Sequence, residues 1–211
     1  MPPSSPLPLA PDRTALLLVD LQNGTCGPEQ ERRRPEFHRR FREDTLPRLQ
    51  RLLAACRRAE VEVIHTVIAS LTADGRDRSL DYKRCGMGFP PGSAEARVIG
   101  ELAPGPDELV LPKSSSSPFS STTLDYLLRN IGIERLIVAG VLTDQCIDHT
   151  VKDAADRGYR VFCAQDACQA ETPERHRAAL MCFAGYCRQV TVEECCRWLA
   201  GPEDAPAGGA H

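Results

Sequence analysis

The sequence predicts a single α/β domain built on a parallel β-sheet with crossover helices. Two observations carry this reading. Short β-branched or aliphatic runs alternate with amphipathic stretches of helix length, the pattern of repeated βαβ units. Most of those runs are apolar nearly throughout, as strands covered on both faces should be. The length agrees: 211 residues are enough to bury roughly 70% of the surface the unfolded chain exposes, so one core forms without metal or disulfide staples.

The first strand is expected at Ala15–Asp20. Leu46, Leu49, Leu52, Leu53 and Cys56 then recur at helical spacing with Arg48, Arg51, Arg57 and Arg58 on the opposite side, giving a core-facing helix. A second strand follows at Val61–Val67 and a third at Glu108–Leu111. Between them residues 71–92, LTADGRDRSLDYKRCGMGFPPG, are too long for an ordinary connection, and such a segment either covers a site or is mobile. Thr122–Asn130 predicts a helix with Leu124, Leu127 and Leu128 apolar and Asp125 near its positive end. The fourth strand is placed at Arg135–Ala139, a helix from Gln145 or Cys146 to Arg157 stopped by Gly158, and a fifth strand at Arg160–Ala164. The sixth strand, Arg188–Thr191, leads into a last helix that Thr191 and Glu194 start as a capping box. Residues 13–200 form the folded domain in this reading, with a flexible N-terminal segment at 1–12 and a disordered tail at 201–211.

Composition narrows the function. With 26 basic against 29 acidic residues the net charge is −3, which generates no field to gather nucleic acid or an anionic membrane. A small-molecule partner is expected. The N-terminal stretch lacks a basic n-region, and the apolar run Ala15–Val19 is too short for a secretory signal or a span, so the expected location is cytoplasmic. The ten cysteines are scattered, without CxxC or Cys/His zinc spacing, and read as thiols; no metal and no cofactor are expected.

In open parallel sheets functional groups gather beyond the carboxyl ends of the strands. Three reactive side chains fall there: Asp20 after the first strand, Lys113 after the third, and Cys146 after the fourth through the turn Gly140–Gln145. Together they form a device. A cysteine at a helix N-terminus beside a lysine is expected to have a lowered thiol pKa, and a neighbouring carboxylate can take the thiol proton and deliver it to a leaving nitrogen.

These residues sit in stretches that resemble the isochorismatase-like cysteine hydrolases, a superfamily of nicotinamidases, N-carbamoylsarcosine amidase, and biuret and ureidoacrylate hydrolases. The carriers are ALLLVDLQN at 15–23, GSAEARVIGELAPGPDELVLPK ending at Lys113, and SPFSSTTLDYLLRNIGIERLIVAGVLTDQCIDHTVKDAADRGY. The resemblance implies a six-stranded parallel sheet in the order 3-2-1-4-5-6 flanked by helices, a Cys146-Asp20-Lys113 triad, and a cis peptide at Val141–Leu142. It also implies an oxyanion hole from the Leu142 and Cys146 amides and a homodimer or homotetramer. The reaction it implies is hydrolysis of an amide or carbamoyl C–N bond through a thioester. Nicotinamidases carry an Asp-x-His metal motif after the second strand; here the region reads Ile64-His65-Thr66-Val67-Ile68-Ala69-Ser70, and His65 reads as a hydrogen-bonded strand residue.

Around the triad, Gln22 and Asn23 are expected to orient Asp20 and border the substrate. Ser116 replaces an aromatic of many relatives and leaves room or hydroxyl donors, and Phe119 is placed on the pocket wall. Tyr82 and Arg84, in the 71–92 segment, suit a carboxylate-bearing substrate if that segment folds over the site. Two other functions stay open: a vinyl-ether hydrolase of the isochorismatase type, which uses no cysteine nucleophile, and an inactive binding scaffold.

Overall fold

The computed structural model describes residues 9–200. The expected tail at 201–211 and residues 1–8 of the expected N-terminal segment lie outside the described residues. Of the remainder of that segment, Leu9 is buried in the core and Pro11–Arg13 form a single 3₁₀ turn, so packing begins before residue 13.

In chain order the elements are β1 (Thr14–Val19), α1 (Asn23–Cys26), α2 (Glu29–Arg33), α3 (Pro35–Arg40), α4 (Leu46–Arg58), β2 (Glu62–Ile68), α5 (Leu80–Cys85), β3 (Leu109–Lys113), α6 (Pro118–Ser121), α7 (Leu124–Ile131), β4 (Arg135–Val141), α8 (Asp148–Asp156), β5 (Arg160–Gln169), α9 (Pro173–Cys182), β6 (Arg188–Val190) and α10 (Val192–Leu199). All strand pairs are parallel, and the order across the sheet is β3-β2-β1-β4-β5-β6. The central strand explains the architecture. Every residue of β1 is buried, and its side chains alternate between two cores, as the two-residue period of a strand requires. Leu16 and Leu18 face Phe37 of α3, Phe41 just after it, Leu49 and Leu52 of α4 and Cys195 of α10, whereas Leu17 and Val19 face Leu124, Leu128, Val151 and Phe183 on the other side. Each fully buried leucine contributes roughly 1.5–3 kcal/mol.

Three boundaries differ from expectation in ways that bear on the site. β3 extends to include Lys113, paired with Ile68, and its Pro112 is tolerated because β3 is an edge strand. β5 runs five residues beyond Ala164, past a register shift opposite Val138 and Gly140. The helix expected from Gln145 or Cys146 begins as a wide turn over Thr143–Ile147, in which the Ile147 amide reaches back five residues to the Leu142 carbonyl, and becomes α-helical only at Asp148. Among the described residues no helix is long and apolar enough to cross a membrane.

Candidate active site

β1 ends at Val19, and Asp20 turns its backbone into the left-handed region (φ 59°), a conformation an aspartate tolerates better than most side chains. Its amide still bonds to the Thr66 carbonyl at 3.0 Å, so the carboxylate is held at the strand tip. The neighbouring strand comes unusually close. Gly140 in β4 has φ 133°, and a Cβ there would lie 2.2 Å from the Val19 carbonyl oxygen, so only glycine allows this approach. Val19 pairs with Gly140, which brings Asp20 beside the turn that carries Cys146. Ile68 pairs with Lys113, which brings in the lysine from the other side.

The three side chains meet. Lys113 Nζ lies 3.0 Å from Asp20 Oδ2 and 3.3 Å from Cys146 Sγ, and also donates to the Tyr82 hydroxyl at 3.0 Å and the Ser115 carbonyl at 2.9 Å. The Asp20 contact is a buried ion pair on Oδ2, while Oδ1 accepts from Thr66 Oγ1 at 3.3 Å. Asp20, Lys113 and Cys146 are 1%, 0% and 5% exposed. Each charged form is therefore sensitive to its neighbours.

Burial raises the Asp20 carboxyl above its ordinary value against the pull of the Lys113 charge. For Lys113 burial works downward, but its neighbours, the Asp20 charge first, work upward and hold the ammonium protonated. Burial and the Asp20 charge push the Cys146 thiol up to about 12, with Lys113 opposing them. This corrects the expectation of a lowered thiol pKa: the surroundings remove more solvation than the lysine restores, and Cys146 rests as a thiol.

The sulfur opens onto a cavity of about 380 Å³ whose lining includes Asp20, Cys146, Val141, Leu142 and Gln145, a volume suited to a small molecule. The peptide between Val141 and Leu142 is cis. The Leu142 carbonyl accepts from the amides of Gln145 at 3.0 Å and Ile147 at 3.2 Å, passing over the Cys146 amide between them. Thr143 and Asp144 of the same turn are pinned by α9, through His176 Nδ1 at 2.8 Å from Thr143 Oγ1 and an Arg175–Asp144 ion pair.

The segment 71–92 is folded over the site. Ser79 caps α5 and its amide bonds to the Ser114 carbonyl; Gly86, Met87, Gly88 and Phe89 form one wall of the cavity, and the Phe89 ring sits against Gly24. The six residues expected to touch substrate do not line this cavity. Tyr82 is buried behind the lysine, its hydroxyl 3.5 Å from Cys146 Sγ. Arg84 lies on the exposed outer side of α5. Gln22 does not touch Asp20; its side-chain amide clamps the Ile68 and Glu95 backbone, and Asn23 donates to the Ala94 carbonyl. Phe119 packs in the core against Tyr159. Ser116 is half-buried outside the lining, and its neighbours Ser114, Ser115 and Ser117 spend their hydroxyls on Asp77, Ser121 and Asp153. His65 pairs with Glu108 at 3.2 Å, and among the described residues no group of three or more His, Cys, Asp or Glu is placed to hold a metal.

The opposite wall is absent from the sequence reading. Gly24 and Thr25 of α1, Gln30 and Arg33 of α2, and Arg34 just after α2 supply it. Arg34 is spent on Gln30, Thr25 and Glu171, whereas exposed Arg33 has no ion-pair partner among the described residues.

Residues 14–194 match the Isochorismatase domain family. The chain is 31% identical over 195 residues to nicotinamidase 3 of Arabidopsis thaliana, covering 89% of each protein. It is 29% identical to a ureidoacrylate amidohydrolase of Methylobacterium radiotolerans, covering 98% of this chain and 88% of the other. Among solved structures, a cysteine hydrolase from Pseudomonas syringae superposes with a TM-score of 0.81 at 28% identity, covering 93% of this chain and 98% of that one.

Proposed function

The chain belongs to the isochorismatase family, and we propose that it is a cysteine hydrolase cleaving a small amide or carbamoyl C–N bond through a thioester on Cys146. The observation that carries this reading is the buried cluster in which Cys146 Sγ and Asp20 Oδ2 share the Lys113 ammonium at the edge of the cavity. A thiol near 12 is not a preformed thiolate, so Asp20 takes the thiol proton as Sγ attacks the carbonyl. The transfer creates no net charge: the negative charge passes from Asp20 to sulfur and then to the carbonyl oxygen, with Lys113 positive throughout. The Leu142 and Cys146 amides receive that oxyanion. Asp20 returns the proton to nitrogen, the C–N bond breaks, and ammonia or an amine leaves. Water then attacks the thioester with Asp20 as base, releasing the acid or carbamate and restoring the thiol.

The amidase relatives support an amide-type small-molecule substrate, and the family resemblance of the sequence is the ground for a homodimer or homotetramer. Arg33 at the cavity supports including carboxylate-bearing compounds among the candidates. The test is ammonia release from a panel of primary amides, ureas and N-carbamoyl amino acids, with Cys146→Ala in parallel. Release from at least one compound by the wild type, lost in the variant, is expected. Equal rates in both proteins rule the reading out.

A further inference from the structure

We propose that Tyr82 is a fourth catalytic residue, its phenolic O–H donating to the Cys146 sulfur while that sulfur carries negative charge. The proposal rests on the reading of Cys146 as nucleophile and follows from the direction of the hydrogen bonds. Lys113 Nζ lies 3.0 Å from the Tyr82 oxygen. An ammonium only donates, so the phenol oxygen is the acceptor there, and the phenol's own hydrogen needs another partner. Cys146 Sγ, 3.5 Å away, is its acceptor among the described residues. The sulfur thus receives donors from Lys113 and Tyr82, while the thiol hydrogen is left for the buried Asp20 carboxylate.

The fold holds this geometry. Tyr82 is 4% exposed; its amide bonds to the Ser79 side chain that starts α5, its carbonyl accepts from Met87, and Ser79 is tied to Ser114 beside the lysine. The ring face also lies 5.6 Å from Lys113 Nζ. Burial raises the phenol pKa, which keeps the hydrogen in place for donation. The 71–92 segment therefore walls the cavity with Phe89 and completes the nucleophile's surroundings with Tyr82.

The test uses Tyr82→Phe, which keeps the ring and removes the donor. A hydrogen bond to a charged group contributes enough to change an ionisation about 10- to 100-fold. The rate of Cys146 alkylation by iodoacetamide against pH should therefore shift to higher pH by about one pH unit or more, with kcat falling similarly and KM little changed. Peptide mapping assigns the alkylated residue, and thermal melting checks the fold. A second arm replaces the four tyrosines with 3-fluorotyrosine, whose more acidic phenol donates more strongly; the alkylation midpoint should move to lower pH. A titration of Tyr82→Phe that overlays the wild type, or a fluorotyrosine protein with an unmoved midpoint, overturns the proposal. Because alkylation reads the thiol without substrate, this outcome is separate from the panel result: an active Cys146→Ala protein removes the nucleophile reading, whatever Tyr82 does.

Discussion

Replacing Lys113 by methionine keeps the length of the side chain and removes its charge, leaving Asp20 alone at 1% exposure. Breaking a buried ion pair from one side costs about 3–5 kcal/mol, because the remaining charge has neither water nor partner. For a domain of this size each kcal/mol is worth roughly 2–4 °C, so the melting temperature should fall by about 6–20 °C at neutral pH. The pH dependence has a definite sign. Asp20 is already raised by burial, and without Lys113 it rises further, so the folded variant binds a proton more tightly than the unfolded chain. Stability is then greatest at low pH and is lost as pH rises through the folded pKa. In the wild type the raised Lys113 contributes stability that is complete below its ordinary range near 10 and so does not vary between pH 5 and 8. Differential scanning calorimetry at pH 5 and pH 8 should show the variant's deficit larger at pH 8. A deficit of under about 1 °C at both, equivalent to well below 1 kcal/mol, refutes the buried pair.

Other substitutions separate the steps. Asp20→Asn removes the proton carrier and should lower turnover about 10²- to 10⁴-fold, yet it also removes a charge that raises the thiol. Iodoacetamide should therefore alkylate Cys146 at lower pH than in the wild type, and a shift to higher pH contradicts the charge balance drawn here. In Gly24→Ala the new Cβ would stand 2.3 Å from Phe89 Cζ; displacing that ring should raise KM roughly fivefold, about 1 kcal/mol of binding, with kcat little changed, and an unaltered KM removes Phe89 from the binding surface. Light scattering coupled to size exclusion should give twice or four times the chain mass, and a single-chain mass of 23.2 kDa contradicts the assembly.

The sheet was legible because its central strands β1, β2 and β4 are buried on both faces and apolar for most of their length, although the edge strands β3 and β6 are partly exposed. Asp20, Lys113 and Cys146 were legible because the carboxyl ends of parallel strands converge, and Gly140 lets two of those ends approach. The thiol's elevated pKa was not, since it depends on how much solvent the finished cavity removes. Nor was the cavity wall. Thr25, Gln30 and Arg33 lie in short helices without a long periodic pattern, and the place of Tyr82 depends on contacts of the 71–92 segment with Ser114 and Gly24, distant in sequence. Phe119 shows the converse: the family resemblance put it on the pocket wall, but the α6 start at Ser117 and Pro118 turns its ring onto Tyr159.

Whether Cys146 carries the acyl group is read by mass spectrometry of protein quenched in acid during turnover of an amide from the panel. An adduct with the mass of the substrate's acyl portion is expected on the Cys146 peptide, discharged by hydroxylamine and absent from Cys146→Ala. Steady turnover with no adduct on Cys146, accompanied by an active Cys146→Ala protein, would contradict it.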